Sequence, residues 1–506
     1  MDQVAPFSPV SLLLSWKSWA FFLISYVMGV CVYNLYLHPL AAYPGPWYAR
    51  VSRLCVCYHL FIGDLHLWTK SLHERYGPVV RLASDELSFM TADVLKDIYG
   101  HRAGKPENEK DISYRFDPKP EHASIVNADR ARHTQLRRLL SNAFSDKVLQ
   151  GQEPVIRKYT DLLITKLSER CRQGDSTVDL VNWYNFTTFD IIGHLAFAES
   201  FNCLESTEYH AWISLTLALL KNIARSRSVL RLDEKLAPLF MRLSALLNPS
   251  LPKCHRELYR LTQELVARRQ ARNPEYTDFM THLIAAQEKG QLIQEDLHSN
   301  APVIVVAGSE TTATLLSGAT YYLLSHPEVH EKLKKEVRGA FNSADEVTIE
   351  RTGSLPYLLA VLDESLRLYP PGSNPHLRRT PPAGAVLGGK FVPGNTAVGM
   401  NQYALHRSKD NFARAEEFIP ERWIDRDQEP WKNDRRDVVQ PFSFGPRNCI
   451  GRNLAYIEMR LILAKVLCTF DMELAPETKK DWLSQNVFVV WEKHPLLVNI
   501  KLAKDI

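Results

Sequence analysis

The chain has no CxxC pair matched to a second pair or to a histidine spacing, and its eight cysteines are scattered through 506 residues. That pattern excludes both a disulfide scaffold and structural zinc, and seven of the eight read as free buried thiols. Excess charge is scarce too: 61 Lys and Arg against 57 Asp and Glu leave +4, too little over this length to recruit nucleic acid. No repeat, low-complexity linker or charge block divides the chain. No G-x-G-x-x-G follows a strand-like run, so the chain carries no dinucleotide or flavin segment of its own. One large domain with an appendage fits, and a 45% hydrophobic content suffices for a deep core.

What is present begins at the N-terminus. From Ser18 to Leu37 twenty residues pass without a charge, enough at ~1.5 Å per residue to cross a hydrocarbon core of ~30 Å. The run predicts a transmembrane helix over 18–37. A cleaved signal peptide would have a shorter apolar region and a small-residue cleavage site, where this chain has His38, Pro39 and tyrosines. Trp16, Trp19, Tyr33 and Tyr36 sit at interface positions, and Arg50 and Arg53 follow the run against Lys17 and Asp2 before it, which places the bulk of the chain on the cytosolic side. The expected organisation is a lumenal N-terminus over 1–17, the anchor over 18–37, a stiff Pro-rich hinge over 38–48 and one domain over 49–506.

That domain reads as mainly α with small β-sheets. Apolar periodicity predicts helices over 149–171, 181–198, 209–224, 255–271, 293–325, 327–341 and 356–369. Strand-like runs fall at 79–90, 376–379, 385–392 and 486–501.

Near the C-terminus the chain turns through two glycines around a cysteine, Phe442-Ser-Phe-Gly-Pro-Arg-Asn-Cys449-Ile-Gly451, and then enters a helical pattern over 452–468. Cys449 therefore lies just ahead of a helix N-terminus. There the dipole, Arg447 and Arg452 lower a thiol's pKa, and backbone N–H groups can bond its sulfur. Gly445 and Gly451 would let the backbone approach a flat cofactor. An ordinary buried cysteine beside a turn is the plain alternative, and the complete spacing F-x-x-G-x-R-x-C-x-G argues against it. That spacing resembles the signature of the cytochrome P-450 superfamily. The resemblance implies that fold and a bound haem b, iron protoporphyrin IX. It also implies that Cys449 is the axial ligand of the iron, with Phe442 beside it and Arg447 on a haem propionate. Thiolate ligation pushes electron density onto iron and favours cleavage of a bound O–O bond.

Further motifs carry the resemblance from the hinge to about Leu497. Ala307-Gly308-Ser309-Glu310-Thr311-Thr312 interrupts a long apolar helix with small and polar residues. A mid-helix glycine costs roughly 1 kcal/mol, so a packing or functional reason is expected, and apolar flanks disfavour a helix cap. The segment is similar to the family's oxygen-binding helix. This implies room for a diatomic ligand, a hydrogen bond from Thr311 and proton relay by Glu310. Pro302, about one turn upstream, is expected to bend the helix.

Glu364-Ser-Leu-Arg367 alone would be an exposed pair worth ~0.5 kcal/mol or less. Together with Pro420-Glu-Arg422-Trp423 it resembles the family's ExxR and PERF motifs, with Trp423 in place of Phe. Glu364, Arg367 and Arg422 are then implied to form a buried structural network that fixes the cysteine loop. His133-Thr-Gln-Leu-Arg137 resembles the family's Trp-x-x-x-Arg, implying propionate contacts, although for His133 a solvated basic face reads equally well. Arg378 resembles a third propionate contact, with Arg379 beside it as a competitor.

Arg130, Arg132, Arg137, Arg138 and Arg452 are implied to form a positive face for an acidic redox partner. In microsomal relatives that partner is an NADPH-dependent cytochrome P-450 reductase. Tyr33-Asn-Leu-Tyr-Leu-His-Pro-Leu and Tyr43-Pro-Gly-Pro resemble the anchors of fungal secondary-metabolism enzymes. The implied protein is a single-pass monooxygenase of the endoplasmic reticulum membrane with its catalytic domain in the cytosol. It would bind membrane lipid and use O2 to hydroxylate, or otherwise oxidise, a lipophilic small molecule. The pocket is expected to draw on 101–126, 200–255, Val303 to Thr311, 372–377 and the surroundings of Phe488. Two other readings share the fold: an isomerase or dehydratase working without external electrons, whose relatives often lack the acid–threonine pair, and a non-catalytic haem sensor or carrier.

Overall fold

The computed structural model describes residues 16–102, 107–114, 122–272 and 276–503. Most of the expected lumenal segment, and pocket residues 103–106 and 115–121, lie outside the described residues. The first helix, α1 (Trp16–Val32), runs on through a π-helical turn, Tyr33–Leu37. Within this 22-residue span an 18-residue stretch has a mean hydropathy of 1.8 and no buried residue. A core helix of a soluble domain would bury such a surface, whereas a membrane anchor exposes it to lipid.

The hinge is clamped to the globule as well as stiffened by prolines. Pro46 starts a short helix, Trp47–Val51, so helix begins inside the expected 38–48 hinge. Arg50 donates to the carbonyls of Leu35 and Ala41 at 2.8 Å each, and Arg81 donates to Asn34 O at 2.8 Å. Gly45 lies so close to the first strand that a Cβ there would meet Arg81 O at 2.4 Å.

Eight further helices position the site: α2 (Arg130–Ser141), α3 (Leu180–Phe197), α4 (Ala211–Leu232), α5 (Ala237–Leu247), α6 (Ser250–Gln270), α7 (Gln294–Ser325), α8 (Pro356–Leu368) and α9 (Arg452–Thr469). The central α7 remains helical through Pro302. It lies against α3, which buries every residue except Asn182 and His194. Helix α4 extends eight residues past the expected end at 224, and its last turns bring Arg227 and Arg231 to the wall of the central cavity.

The strands are β1 (Val79–Ala83), β2 (Glu86–Phe89), β3 (Glu109–Lys110), β4 (Thr177–Asp179), β5 (Arg378–Arg379), β6 (Ala385–Leu387), β7 (Lys390–Val392), β8 (Ala397–Met400), β9 (Phe470–Leu474) and β10 (Leu497–Leu502). They form sheets in the orders β1-β2-β8-β5-β3, β4-β10-β9 and β6-β7. The run 79–90 is thus a hairpin and not one strand, as is 385–392. Most of 486–496 is irregular and held by side chains: Asn374 donates to Phe488 O at 2.9 Å and Trp491 Nε1 to Pro370 O at 2.9 Å.

Candidate active site

The cysteine loop descends from a buried ionic network. Arg367 grips Glu364 through two bonds of 2.8 Å, and Arg422 Nε reaches the same carboxylate at 3.0 Å. All three side chains have no exposure. Trp423 Nε1 donates to Glu364 Oε2 at 2.9 Å, which gives the departure from Phe a positive role. Arg367 also donates to the carbonyls of His406, Ala415 and Glu417 at 2.6–2.9 Å, binding the loop that leads toward Phe442. Asp434, which no motif marked, pairs with Arg422. Burial alone would raise the Glu364 carboxyl; Arg367 and Arg422 more than offset it and hold the group below its ordinary value. The pair is therefore a desolvated structural element and not a surface ornament.

Beyond this network the loop folds back on itself, with Cys449 N donating to Phe442 O at 2.8 Å and the Phe442 ring 5.4 Å from that of Tyr456. Gly451 caps α9 and lines the central cavity. Gly445 has a different reason from the one expected. At φ +76° its Cβ would lie 1.9 Å from Tyr99 O, so it serves a tight turn against that backbone and lies outside the cavity. All eight cysteines are unpaired. Only Cys57, Cys203 and Cys468 are buried, while Cys31, Cys55, Cys171 and Cys254 are half-buried, which corrects the expectation for those four.

Cys449 is set deep in the protein, yet its thiol is open to a cavity of about 480 Å³. Burial raises that thiol above its ordinary pKa, while the Gly451 N–H and Arg137 pull it down. Arg447 and Arg452, expected to activate it, are engaged elsewhere. Arg447 donates to Ala128 O at 3.0 Å and pairs with Glu107 at 3.2 Å, and Arg452 lies 5.9 Å from the Tyr456 ring.

Helix α7 contributes Val303, Ile304, Ala307, Gly308, Thr311 and Thr312 to the cavity wall. Thr311 Oγ1 donates to Ala307 O at 2.8 Å, the i−4 bond open to a hydroxyl within a helix. The Gly308 position corrects a simple picture of empty space. A Cβ there would meet Ile192 Cδ1 at 2.5 Å, so the glycine also admits α3. Glu310 is absent from the cavity wall; it is buried on another face of α7, paired with Lys493, with Oε2 unpartnered.

The remaining predicted residues gather at one end of the cavity. His133, Arg137, Arg378 and Arg447 all line it, as does Lys110, which sequence reasoning missed. Neighbouring residues of a strand point to opposite faces, and this separates Arg378, which lines the cavity, from Arg379, which pairs with Asp111 at 2.9 Å. Burial, followed by Arg447, Lys110, Arg137 and Arg378, drives His133 down to about 3, so it is a neutral imidazole. This gathering of cations around an open thiol, with apolar walls and no acid among the described lining residues, fits a flat apolar cofactor carrying two carboxylates.

Outside this end lies an open hollow lined by Arg102, Arg130, Arg137 and Arg138 together with Asn448 and by Glu107, which pairs with Arg447. Arg132 does not join it, being drawn to Asp296 of α7, and Arg452 is also outside it.

The cytochrome P-450 family profile matches residues 50–500. The cytochrome P-450 monooxygenase astA of Talaromyces wortmannii is 43% identical, covering 94% of this chain and 95% of its own. The monooxygenase aclL of Aspergillus oryzae is 42% identical over 95% and 96%. Averantin hydroxylase of Dothistroma septosporum is 42% identical over 94% and 90%. The chain belongs to the cytochrome P-450 family and is a monooxygenase of that family. The family binds haem as iron protoporphyrin IX, and its monooxygenases use O2, a redox partner and small-molecule substrates.

Proposed function

We propose that the chain hydroxylates a lipophilic intermediate of fungal secondary metabolism, with electrons from a separate NADPH-dependent reductase, on the cytosolic face of the endoplasmic reticulum membrane. The observation that carries this reading is that Cys449 and Thr311 line one and the same largely apolar cavity. A relative named averantin hydroxylase supports hydroxylation as the reaction, and the exposed apolar helix α1 supports membrane attachment.

In this reading Cys449 is the iron ligand, Phe442 and Gly451 shape its surroundings, and Arg447, His133, Arg137 and Arg378 hold the propionates. Haem, when bound, supplies activation of O2. The rest falls to the chain. Apolar walls exclude water and hold the substrate against the site. Thr311 Oγ1 presents a hydroxyl proton at the cavity wall, on loan to Ala307 O. Glu310 lies on the Lys493 side of α7 and reaches the cavity only by turning its side chain, so it acts in proton supply from behind the helix. The hollow bearing Arg102, Arg130 and Arg138 receives an acidic reductase surface by charge complementarity.

The experiment is the carbon monoxide difference spectrum of the reduced full-length protein beside Cys449→Ser, followed by NADPH consumption with reductase. A strongly red-shifted Soret band lost in the variant, with substrate-dependent NADPH use, is the expected result. A haem-bound wild type lacking that band would overturn the assignment of Cys449. A normal band without any reductase-driven turnover would favour an isomerase or dehydratase instead.

A further inference from the structure

The cavity wall carries more positive charge than the carboxylates around it and a haem would neutralise. Arg137, Arg227, Arg231, Arg378 and Arg447 all line it, beside a Lys110 whose pKa burial and these arginines hold well below its ordinary value, and among the described residues no Asp or Glu does. Two of these cations are answered from behind the wall, Arg231 by Glu86 and Arg447 by Glu107 at 3.2 Å. Asp111 is taken by Arg379 at 2.9 Å. A dicarboxylate cofactor would answer two charges more.

Arg227 differs from the rest in its partners. It comes from α4, a different element from α2, β5 and the cysteine loop that carry the propionate candidates. Its guanidinium lies 5.2 Å from the Tyr114 ring centroid. Among the described residues it forms no ion pair and donates no hydrogen bond, yet it lines the cavity. It is close enough to Lys110 and His376 to help hold both below their ordinary pKa values, after the larger effect of burial. The residue is half-buried, and an aromatic face gives a guanidinium only part of what a carboxylate partner would. The same cavity has apolar lining from Val126, Ala224, Val303, Ile304 and Phe488.

We propose that Arg227 receives the carboxylate of an otherwise apolar substrate and so determines which molecules the cavity accepts. The planar fork of arginine matches a carboxylate through two parallel bonds, and the apolar walls take the rest of the molecule. This rests on the reading of the cavity as the monooxygenase site.

The test uses the full-length holoenzyme in detergent and three matched probe pairs: dodecanoate, 2-naphthoate and anthraquinone-2-carboxylate, each against its methyl ester. Binding is read by equilibrium dialysis and by the Soret shift. At least one acid is expected to bind about 10-fold or more tightly than its ester, with Arg227→Gln shrinking that ratio to about 2-fold or less and Arg227→Lys retaining most of it. Equal binding in every pair, no binding of any acid, or a ratio unchanged in Arg227→Gln would overturn the proposal. So would loss of haem in both variants, because Arg227 would then be a cofactor contact. The carbon monoxide band and NADPH consumption judge the monooxygenase reading separately. A protein failing those while preferring acids by dialysis would keep the role of Arg227 and lose the reaction.

Discussion

Lys493 pairs with Glu310 across the seam between the C-terminal segment and α7, and the same ammonium donates to Thr314 Oγ1 at 2.8 Å. The two side chains are 4% and 5% exposed, so neither charge is shared with bulk water. Removing one partner of such a pair typically costs ~3–5 kcal/mol, because the other is left buried and uncompensated. Lys493→Met is expected to destabilise the protein on that scale. A Lys493→Met/Glu310→Leu double variant should recover much of the loss, giving a strong coupling energy in the cycle. Urea unfolding followed by tryptophan fluorescence measures it. A cost below ~1 kcal/mol for Lys493→Met would mean that water reaches the pair after all.

Glu458 supplies a pH-dependent counterpart. It is wholly buried on α9, neither carboxyl oxygen has a partner among the described residues, and burial holds its pKa well above 4.5. The folded protein therefore keeps a proton that the unfolded chain releases once pH passes 4.5. Stability contributed by this group falls as pH rises from there toward the folded pKa, by about 1.4 kcal/mol per pH unit. Glu458→Gln is expected to be more stable than wild type at pH 8, with the gap closing toward pH 5. Denaturant midpoints across that range would show it, and parallel curves for the two proteins would count against a buried neutral carboxyl.

The parts of the site legible in the sequence are those written as short local spacings. Cys449 with its glycines, Glu364 with Arg367, and Thr311 inside an apolar run each announce themselves within about ten residues. Lys110, Arg227, Asp434 and Lys493 gave no such signal, because tertiary contact alone brings them to their partners: Lys493 meets Glu310 from 183 residues away. The facing of Glu310 was hidden for another reason. Successive helix residues are turned by ~100°, so adjacent positions of one motif serve different surfaces, Thr311 the cavity and Glu310 the seam. Strand lengths were overread where a turn interrupted an apolar run, as Ser84 and Asp85 do between β1 and β2.

The hollow beside α2 predicts a kinetic effect with little change in stability. Arg130 and Arg138 are exposed and are in none of the ion pairs found among the described residues. Reversing both, Arg130→Glu with Arg138→Glu, is expected to raise the KM for reductase ~10-fold or more at low salt and to weaken the salt dependence of turnover. The carbon monoxide band should stay intact. Unchanged reductase kinetics at low ionic strength would move the docking face elsewhere.

Gly308 separates packing from chemistry on α7. An alanine there would place its Cβ 2.5 Å from Ile192 Cδ1 and 2.9 Å from Cγ1, so α3 must give way. Overpacking of this kind costs ~1–3 kcal/mol. Gly308→Ala is expected to lower the unfolding midpoint accordingly, and Ile192→Ala in the same chain should return most of the stability by removing the colliding atoms. Turnover then discriminates the two reasons for a glycine. If the double variant regains both stability and coupled NADPH use, the residue is glycine to admit α3. If it regains stability alone while NADPH is consumed without product, the methyl group is obstructing the cavity beside Thr311, and Gly308 serves the reaction as well as the packing.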